Sequence, residues 1–383
     1  MKYFLQIIAL ICLFLISNNN FAQRYLNEVF TSVTVTSNVS YGNNKDLTGA
    51  SQNLSVDIYE PDTSLADTLT ERPLIIYVHT GSFLAAPSAL QCTGSKTDSA
   101  VVEMCTQFAK RGYVAAAIEY RVGWNPFNPS QTERIRGLLN AAYRGIQDAR
   151  TCVRWFRKDI DLNGNQYGVD TSKIVVFGQG TGGYVSYACA TMDRFNGEMN
   201  LPQFIDPNCT DPLNMLCSVI DTALSGDMYG LGMGIPNRPL NTENHPGYSS
   251  EINMAVNLGG ALPDTAWLEA GDAPMVGLHN TDDPFAPYTT GWVIVPLTGE
   301  LVVIVSGSHD AIRKANRLGN NDVLCRNWTD VYSLRAESAL ISHLGQTDLH
   351  TEGTEGLLPL VLPSPDSQTW EWWDAKDPAA CVT

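Results

Sequence analysis

Gly168-Val-Asp170-Thr-Ser-Lys173-Ile-Val-Val-Phe-Gly178-Gln179-Gly180-Thr181-Gly182-Gly183 decides the fold of this chain. Lys173 leads into an unbroken apolar run to Phe177, as expected of a strand buried on both faces of a parallel sheet. The run passes directly into glycine-rich sequence, and residues 183–192 read as a helix. A strand that turns sharply into a helix needs small residues two before and two after the turning position, because the two elements pack closely there. Gly178 and Gly182 meet that need. The residue they flank is Gly180.

Similar elements recur on either side. Leu74-Ile-Ile-Tyr-Val-His79, Tyr113-Val-Ala-Ala-Ala-Ile118, Ile252-Asn-Met-Ala-Val-Asn-Leu258 and Pro274-Met-Val-Gly-Leu278 read as buried strands. Helices are predicted over 98–110 and over 131–158, where Leu139, Ala142, Ile146, Ala149, Val153 and Phe156 keep a three-and-four spacing. Val33-Thr-Val-Thr and Leu54-Ser-Val-Asp-Ile-Tyr alternate apolar and polar residues, which predicts an antiparallel pair opening the sheet. This order implies an α/β protein with a mostly parallel sheet and helices on both faces. Residues 310–318 read as a helix and 323–325 as a strand. Residues 196–250 break the alternation and show no steady period. They are expected to be a lid-like insertion over the carboxyl edge of the sheet, with a disordered surface insertion as the alternative.

Of the 383 residues, 44% are hydrophobic and 17% charged, a balance suited to a well-buried core. The net charge of −16 argues against a nucleic-acid partner, which needs a basic face, and against anionic lipid surfaces. Lys2, the apolar stretch 3–16 and Asn20-Phe21-Ala22 read as an export signal over 1–22. The expected mature protein is a single domain over 23–383, secreted or periplasmic, with no stable membrane insertion. Cys12 falls in the signal. The other eight cysteines permit disulfides in an exported chain, with Cys209–Cys217 and then Cys92–Cys105 the favoured pairs. Cys152 and Cys189 lie on apolar helical faces and read equally well as buried free thiols. No metal site or other cofactor is expected: CxxC pairs and His-rich clusters are absent. Asp161-Leu-Asn163-Gly-Asn165 lacks the glycine and glutamate of a calcium loop.

In an open parallel sheet, ligands bind at the carboxyl ends of the strands. Position for position, residues 168–183 resemble the stretch ending in Gly-Asp-Ser-Ala-Gly-Gly of bacterial α/β-hydrolase carboxylesterases and lipases. Gly180 stands where that family carries its nucleophilic serine. His79-Thr80-Gly81-Ser82-Phe83 resembles the family's His-Gly-Gly-Gly-Phe oxyanion turn, with two glycines replaced. Leu278-His-Asn-Thr-Asp282-Asp283-Pro284-Phe-Ala-Pro287-Tyr resembles its His-Gly-Thr-x-Asp-Pro-x-x-Pro loop. Asp57-Ile-Tyr-Glu-Pro61, Arg111-Gly-Tyr-Val, Glu119-Tyr-Arg121 and the helix over 148–157 extend the likeness across residues 54–290.

The resemblance implies an α/β-hydrolase fold with Gly81, Ser82 and Thr181 donating backbone N–H groups to an oxyanion, and Asp283 orienting a histidine. Three histidines compete for that place, in the order His350, His343, His309. His309 follows the apolar run 301–305 as a catalytic histidine follows a last strand, whereas a helix-and-strand unit after Asp283 favours the later two. Thr181 as a displaced nucleophile would put Gln179 where a small residue belongs. The family carries a closing helix after its histidine, and few residues follow Trp370-Glu-Trp-Trp373 here, the mark of a fragment or an unusual end. The expected activity is hydrolysis of a small-molecule or lipid-like carboxylic ester through a degenerate elbow, weak or altered. The alternative is a catalytically inactive hydrolase fold that binds a ligand or partner.

Overall fold

The computed structural model describes residues 24–62, 67, 69–85, 93–206, 218–220, 225–228, 241–295, 297–324, 331–344, 353–361 and 369. Eight strands form the main sheet, in the order β1-β2-β4-β3-β5-β6-β8-β11. They are β1 (Val33–Lys45), β2 (Ser51–Pro61), β3 (Arg72–Val78), β4 (Val114–Ile118), β5 (Val169–Gln179), β6 (Met254–Leu258), β8 (Met275–Asn280) and β11 (Leu357–Leu360). β2 pairs antiparallel with β1 and with β4, and every pair from β4 to β11 is parallel. This is the α/β-hydrolase arrangement, with the antiparallel opening that residue alternation predicts.

The unbroken apolar runs follow from burial on both faces. Leu74, Ile76 and Val78 of β3 join one core with Val114, Ala116 and Ile118 of β4. Ile75 and Tyr77 join a second core on the opposite face with Ala115 and Ala117. α1 (Ser99–Lys110) covers the second face through Val101, Cys105 and Ala109. α2 (Gln131–Asn163) and α3 (Thr181–Thr191) cover the first, where Ala149, Val153 and Phe156 carry out the predicted spacing. Ser130 caps α2, its hydroxyl accepting from Glu133 N, and Gly164 ends the helix in the left-handed region at φ 73°. Glu119-Tyr-Arg121 and the 148–157 helix are tied by a buried ion pair, in which Arg121 Nη2 and Nε donate to Asp148 at 2.8 and 3.0 Å.

After β8 the chain departs from simple strand–helix alternation. β7 (Ala261–Leu262), β9 (Gly291–Ile294) and β10 (Leu301–Gly307) form a separate sheet in the order β7-β10-β9. The apolar run 301–305 is therefore one arm of a hairpin and not a strand of the main sheet. Its residues show why it read as buried: Val302, Val303 and Val305 face inward, while Leu301 and Ile304 are exposed. α4 (Phe195–Glu198), α5 (Ser308–Arg317) and α6 (Val331–Leu344) complete the described helices. The strand expected at 323–325 is absent from its described part; 321–324 is a turn with Val323 exposed. Asn321 fixes that turn, donating to Glu355 O and Met275 O and accepting from Met275 N.

The described parts of 196–250 lie on the protein, and most of their residues are buried or half-buried. Val219, Ile220 and Met228 belong to the core, and α2 holds the segment through Asn140 to Val219 O and Gln147 to Ser225 O and Asp227 O. Cys105, Cys152 and Cys189 are free, buried thiols, which overturns the Cys92–Cys105 pairing: burial in an apolar core pushes each thiol's pKa up and leaves Cys105 facing Ala and Val. Cys92, Cys209, Cys217, Cys325, Cys381 and residues 1–23 lie outside the described residues. No described helix is long and apolar enough to cross a membrane.

Candidate functional site

β5 enters α3 through Gly180, at φ 55° and ψ −115°, a backbone region that side-chain-bearing residues occupy only under strain. The turn is locked by its neighbours. A Cβ on Gly178 would lie 1.9 Å from Gly182 O, and one on Gly182 would lie 2.1 Å from Val78 O. Gly183 is equally confined, 1.9 Å from Asn257 Oδ1. Gly180 N donates to Leu258 O at 2.7 Å, and Gly180 O accepts from Gly183 N at 2.9 Å. The turn thus has the shape that presents a nucleophile, with a hydrogen atom at the presenting position.

The turn after β3 lies beside it. Gly81, Ser82 and Phe83 take φ of 123°, 56° and 54°, and a Cβ on Gly81 would strike Gly94 Cα at 2.5 Å. Thr80, in place of a glycine, sends its side chain across to the elbow: Thr181 N donates to Thr80 Oγ1 at 3.3 Å. The amide expected to hold an oxyanion is therefore already paired inside the protein. Ser82 contributes its carbonyl to Trp124 Nε1 at 2.9 Å and lines the cavity described below, while Gly81 O accepts from Leu84 N. His79 is fully buried, stacked on Tyr120 with ring centres 4.5 Å apart. Its Nδ1 donates to Thr80 O at 2.6 Å, since a carbonyl can only accept, and Nε2 lies 3.6 Å from Glu119 Oε1.

Asp283 sits beyond the end of β8, with its carboxylate 2% exposed. Oδ1 accepts from Phe285 N and Ala286 N at 2.8 and 3.0 Å, so the side chain caps its own turn. Oδ2 lies 3.7 Å from His279 Nε2. His279 is one residue past Leu278 and was not singled out by sequence reasoning. Its Nε2 donates to Ala286 O at 3.1 Å, and its Nδ1 accepts from Ser308 Oγ at 2.8 Å. Asn257 Nδ2 in turn donates to Ser308 Oγ at 3.0 Å. Serine, histidine and aspartate thus stand in a row, yet His279 and Ser308 are 0% exposed, so no substrate reaches the hydroxyl. Burial pushes the His279 pKa down to about 4 and keeps the ring neutral, as this bonding pattern requires.

Of the three expected histidines, only His309 has a described side chain. His309 Nδ1 is 2.8 Å from Asp310 Oδ1, and its ring packs on Tyr288 at the start of α5. The bonds from His309 and Thr290 hold the Asp310 carboxyl down at about 2. His343 lies in α6, with its side chain outside the described part, and His350 is outside the described residues. Both precede β11. The chain enters that strand where β8 begins, with Gly277 N bonded to Gly356 O, at the sheet edge opposite Asp283.

Gly180, Thr181, Asp283, Thr80 and Ser82 nevertheless converge on one cavity of about 140 Å³. Leu138, Leu139, Ala142 and Ile146 of α2 form one wall, and Val293, Val295, Val302, Val303 and Val305 of the β9–β10 hairpin form another. Trp124, Phe204 and Phe285 also line it. Arg134 Nε and Nη2 grip Glu300 at 2.8 and 2.6 Å, binding the hairpin end to α2. Tyr184 lines the cavity, and its hydroxyl is sealed from solvent with no hydrogen-bond partner among the described residues. Burial, and then the Asp283 charge, raise the Tyr184 pKa, so the phenol stays neutral. Among the described residues no group of three or more His, Cys, Asp or Glu is placed to hold a metal.

The profile of the BD-FAE family matches residues 56–292. No curated protein matches the chain. Similar solved structures include Thermogutta terrifontis esterase 2 phosphorylated by paraoxon, at 20% identity and a TM-score of 0.37 over 68% of this chain and 74% of that one. The propionate-bound form of the same Planctomycetes esterase aligns at 20% identity and a TM-score of 0.38, covering 67% and 75%. Its apo form aligns at 19% identity and 0.38, covering 68% and 76%.

Proposed function

This chain belongs to the BD-FAE family of esterase-like α/β-hydrolases, and from that premise we propose that it binds a ligand in the family's ester pocket without hydrolysing it. The observation that carries this reading is the bond from Thr181 N to Thr80 Oγ1. Acyl transfer needs that amide for the developing negative oxygen, where a single such donor is worth about 10²–10³ in rate. Two further features point the same way. Gly180 offers no attacking atom, so the serine mechanism has no first step. Asp283 uses one carboxylate oxygen to cap its own turn. The cavity that receives these groups is kept, with its apolar walls intact.

Hydrolysis would have to begin at Thr181, which lines the cavity but whose Oγ1 is sealed from solvent. The test is to assay short p-nitrophenyl esters and fluorophosphonate labelling with the wild type, Gly180→Ser and Thr181→Ala. None of the three is expected to turn over or label, because restoring a hydroxyl does not free the amide at Thr181. Wild-type labelling abolished by Thr181→Ala would establish the threonine route and sink the binding reading. Turnover by Gly180→Ser alone would show that the amide at Thr181 and a base are available after all.

A further inference from the structure

We infer that residues 241–251, the stretch leading to β6, are held down by a proton-sensitive latch: the neutral ring of His245 joins them to β1 and α2, and a second proton on that ring frees them. None of the latch residues lines the cavity, so its working does not depend on what the cavity binds.

Two elements grip the stretch. From β1, Asn44 Oδ1 accepts from Thr242 N at 2.8 Å. Asn43 exchanges bonds with the Asn244 side chain, its N donating at 3.2 Å and its O accepting at 3.0 Å. From α2, Arg154 Nε donates to Asn244 O at 3.0 Å, and Arg157 donates to Ser249 O and Glu251 O at 2.6 and 2.8 Å. Asp161 accepts from the Tyr248 hydroxyl at 2.7 Å. His245 sits where the two grips meet. It is half-buried and has φ of 55°, a backbone region strained for a residue that bears a side chain.

The bonds of the ring fix its protonation. Nε2 lies 2.7 Å from Tyr41 O, and a carbonyl only accepts, so Nε2 carries the proton. Nδ1 then keeps its lone pair, which faces Lys158 Nζ at 3.5 Å. A proton added to Nδ1 would turn that attraction into repulsion between two cations. The charges that bear on the ring are Lys158 and Arg154, both from α2 and both positive, while β1 presents the Tyr41 carbonyl. Burial above all holds the pKa of His245 below its ordinary 6.5; the bond to Tyr41 opposes this, and the two cations add to it. A freed ring takes its proton near 6.5 and the latched ring only below that. The hold of the latch is therefore complete above pH 6.5 and is lost as pH falls below it.

Amide hydrogen exchange from pH 7.5 to 5, corrected for the intrinsic pH dependence of exchange, tests the latch. Asn43 and Thr242 are the reporters, because their amides bond across the joint. Their opening is expected to rise below pH 6.5 by up to about tenfold per pH unit, and to be insensitive to low urea as local opening is. His245→Gln should abolish that rise. The ring of His245, followed by NMR, should titrate below 6.5 in the wild type and higher in Lys158→Met. A rise of equal size in His245→Gln would trace the response to His279 and overturn the latch. Opening that ignores pH, opening that follows urea as global unfolding does, or a wild-type ring titrating at 6.5 or above would overturn it as well.

Discussion

The elbow at Gly180 and the corner at Asp283 both lie at the carboxyl edge of the sheet, and they keep their shapes by different means. At the elbow, backbone packs on backbone: Cβ atoms on Gly178 and Gly182 would strike Gly182 O and Val78 O. Those contacts hold the turn whatever side chain stands at its apex. At the corner, polar side chains do the holding. His279, Ser308 and Asn257 form a chain of bonds that binds β8, α5 and β6 together, and Asp283 caps the turn beside it. Chemistry-bearing residue types persist there, but as internal struts. The contrast teaches that a well-formed hydrolase turn reports on packing and says little about turnover, while a serine–histidine–aspartate row reports on chemistry only when its hydroxyl can be reached.

The strongest way to break the comparison is Gly178→Ala. The added methyl would meet Gly182 O at 1.9 Å, and β5 and α3 would have to separate. Destabilisation of about 3 kcal/mol or more is expected, read as a lower urea midpoint. An unchanged midpoint would mean the elbow is not held by close approach.

The corner should answer to pH instead. His279 titrates near 4 in the folded protein, below its ordinary 6.5, so only the unfolded chain takes up the proton between those values. The stability due to neutral His279 is therefore complete above pH 6.5 and is lost as pH falls toward 4. The linked loss is about 3 kcal/mol. Urea unfolding of wild type and His279→Gln from pH 7 to 4 measures it. Parallel curves for the two proteins would remove the strut account.

The smallest effect is expected at the cavity wall. Arg134 and Glu300 join α2 to the hairpin as a half-buried pair, and ion pairs near the surface add little to stability. Glu300→Gln should change the stability read from the urea midpoint by less than about 1 kcal/mol yet loosen the hairpin, seen as faster amide hydrogen exchange in β9 and β10. Equal exchange in both proteins would show that this pair does not hold the hairpin.

The main sheet was legible because its period and glycines are local signals: runs such as 74–78 and 174–177 mark burial on two faces before any contact is known. The elbow was legible because close packing demands glycine at fixed offsets. The region after Asp283 was not. Residues 301–305 are apolar enough to read as a strand of the main sheet, and only pairing with β9 and β7 reveals a separate hairpin. The histidine stayed ambiguous because chain order admits any histidine after Asp283, whereas geometry asks for one leaving β11. The Thr80–Thr181 bond joins residues 101 positions apart, through a side chain that propensity treats as neutral in a turn. Its partners were both named for the oxyanion site, but their pairing with each other is a three-dimensional fact. The role of His279 was hidden for the same reason, since its partners Ser308 and Asn257 come from distant stretches.

The threonine at position 80 also sets a condition on any variant meant to hydrolyse esters under the proposed reading. A serine at 180 would face an amide at 181 already bonded to Thr80 Oγ1, and a glycine at 80 would free that amide without supplying an attacking atom. The two changes are therefore interdependent: their joint effect on turnover should exceed the product of the separate ones.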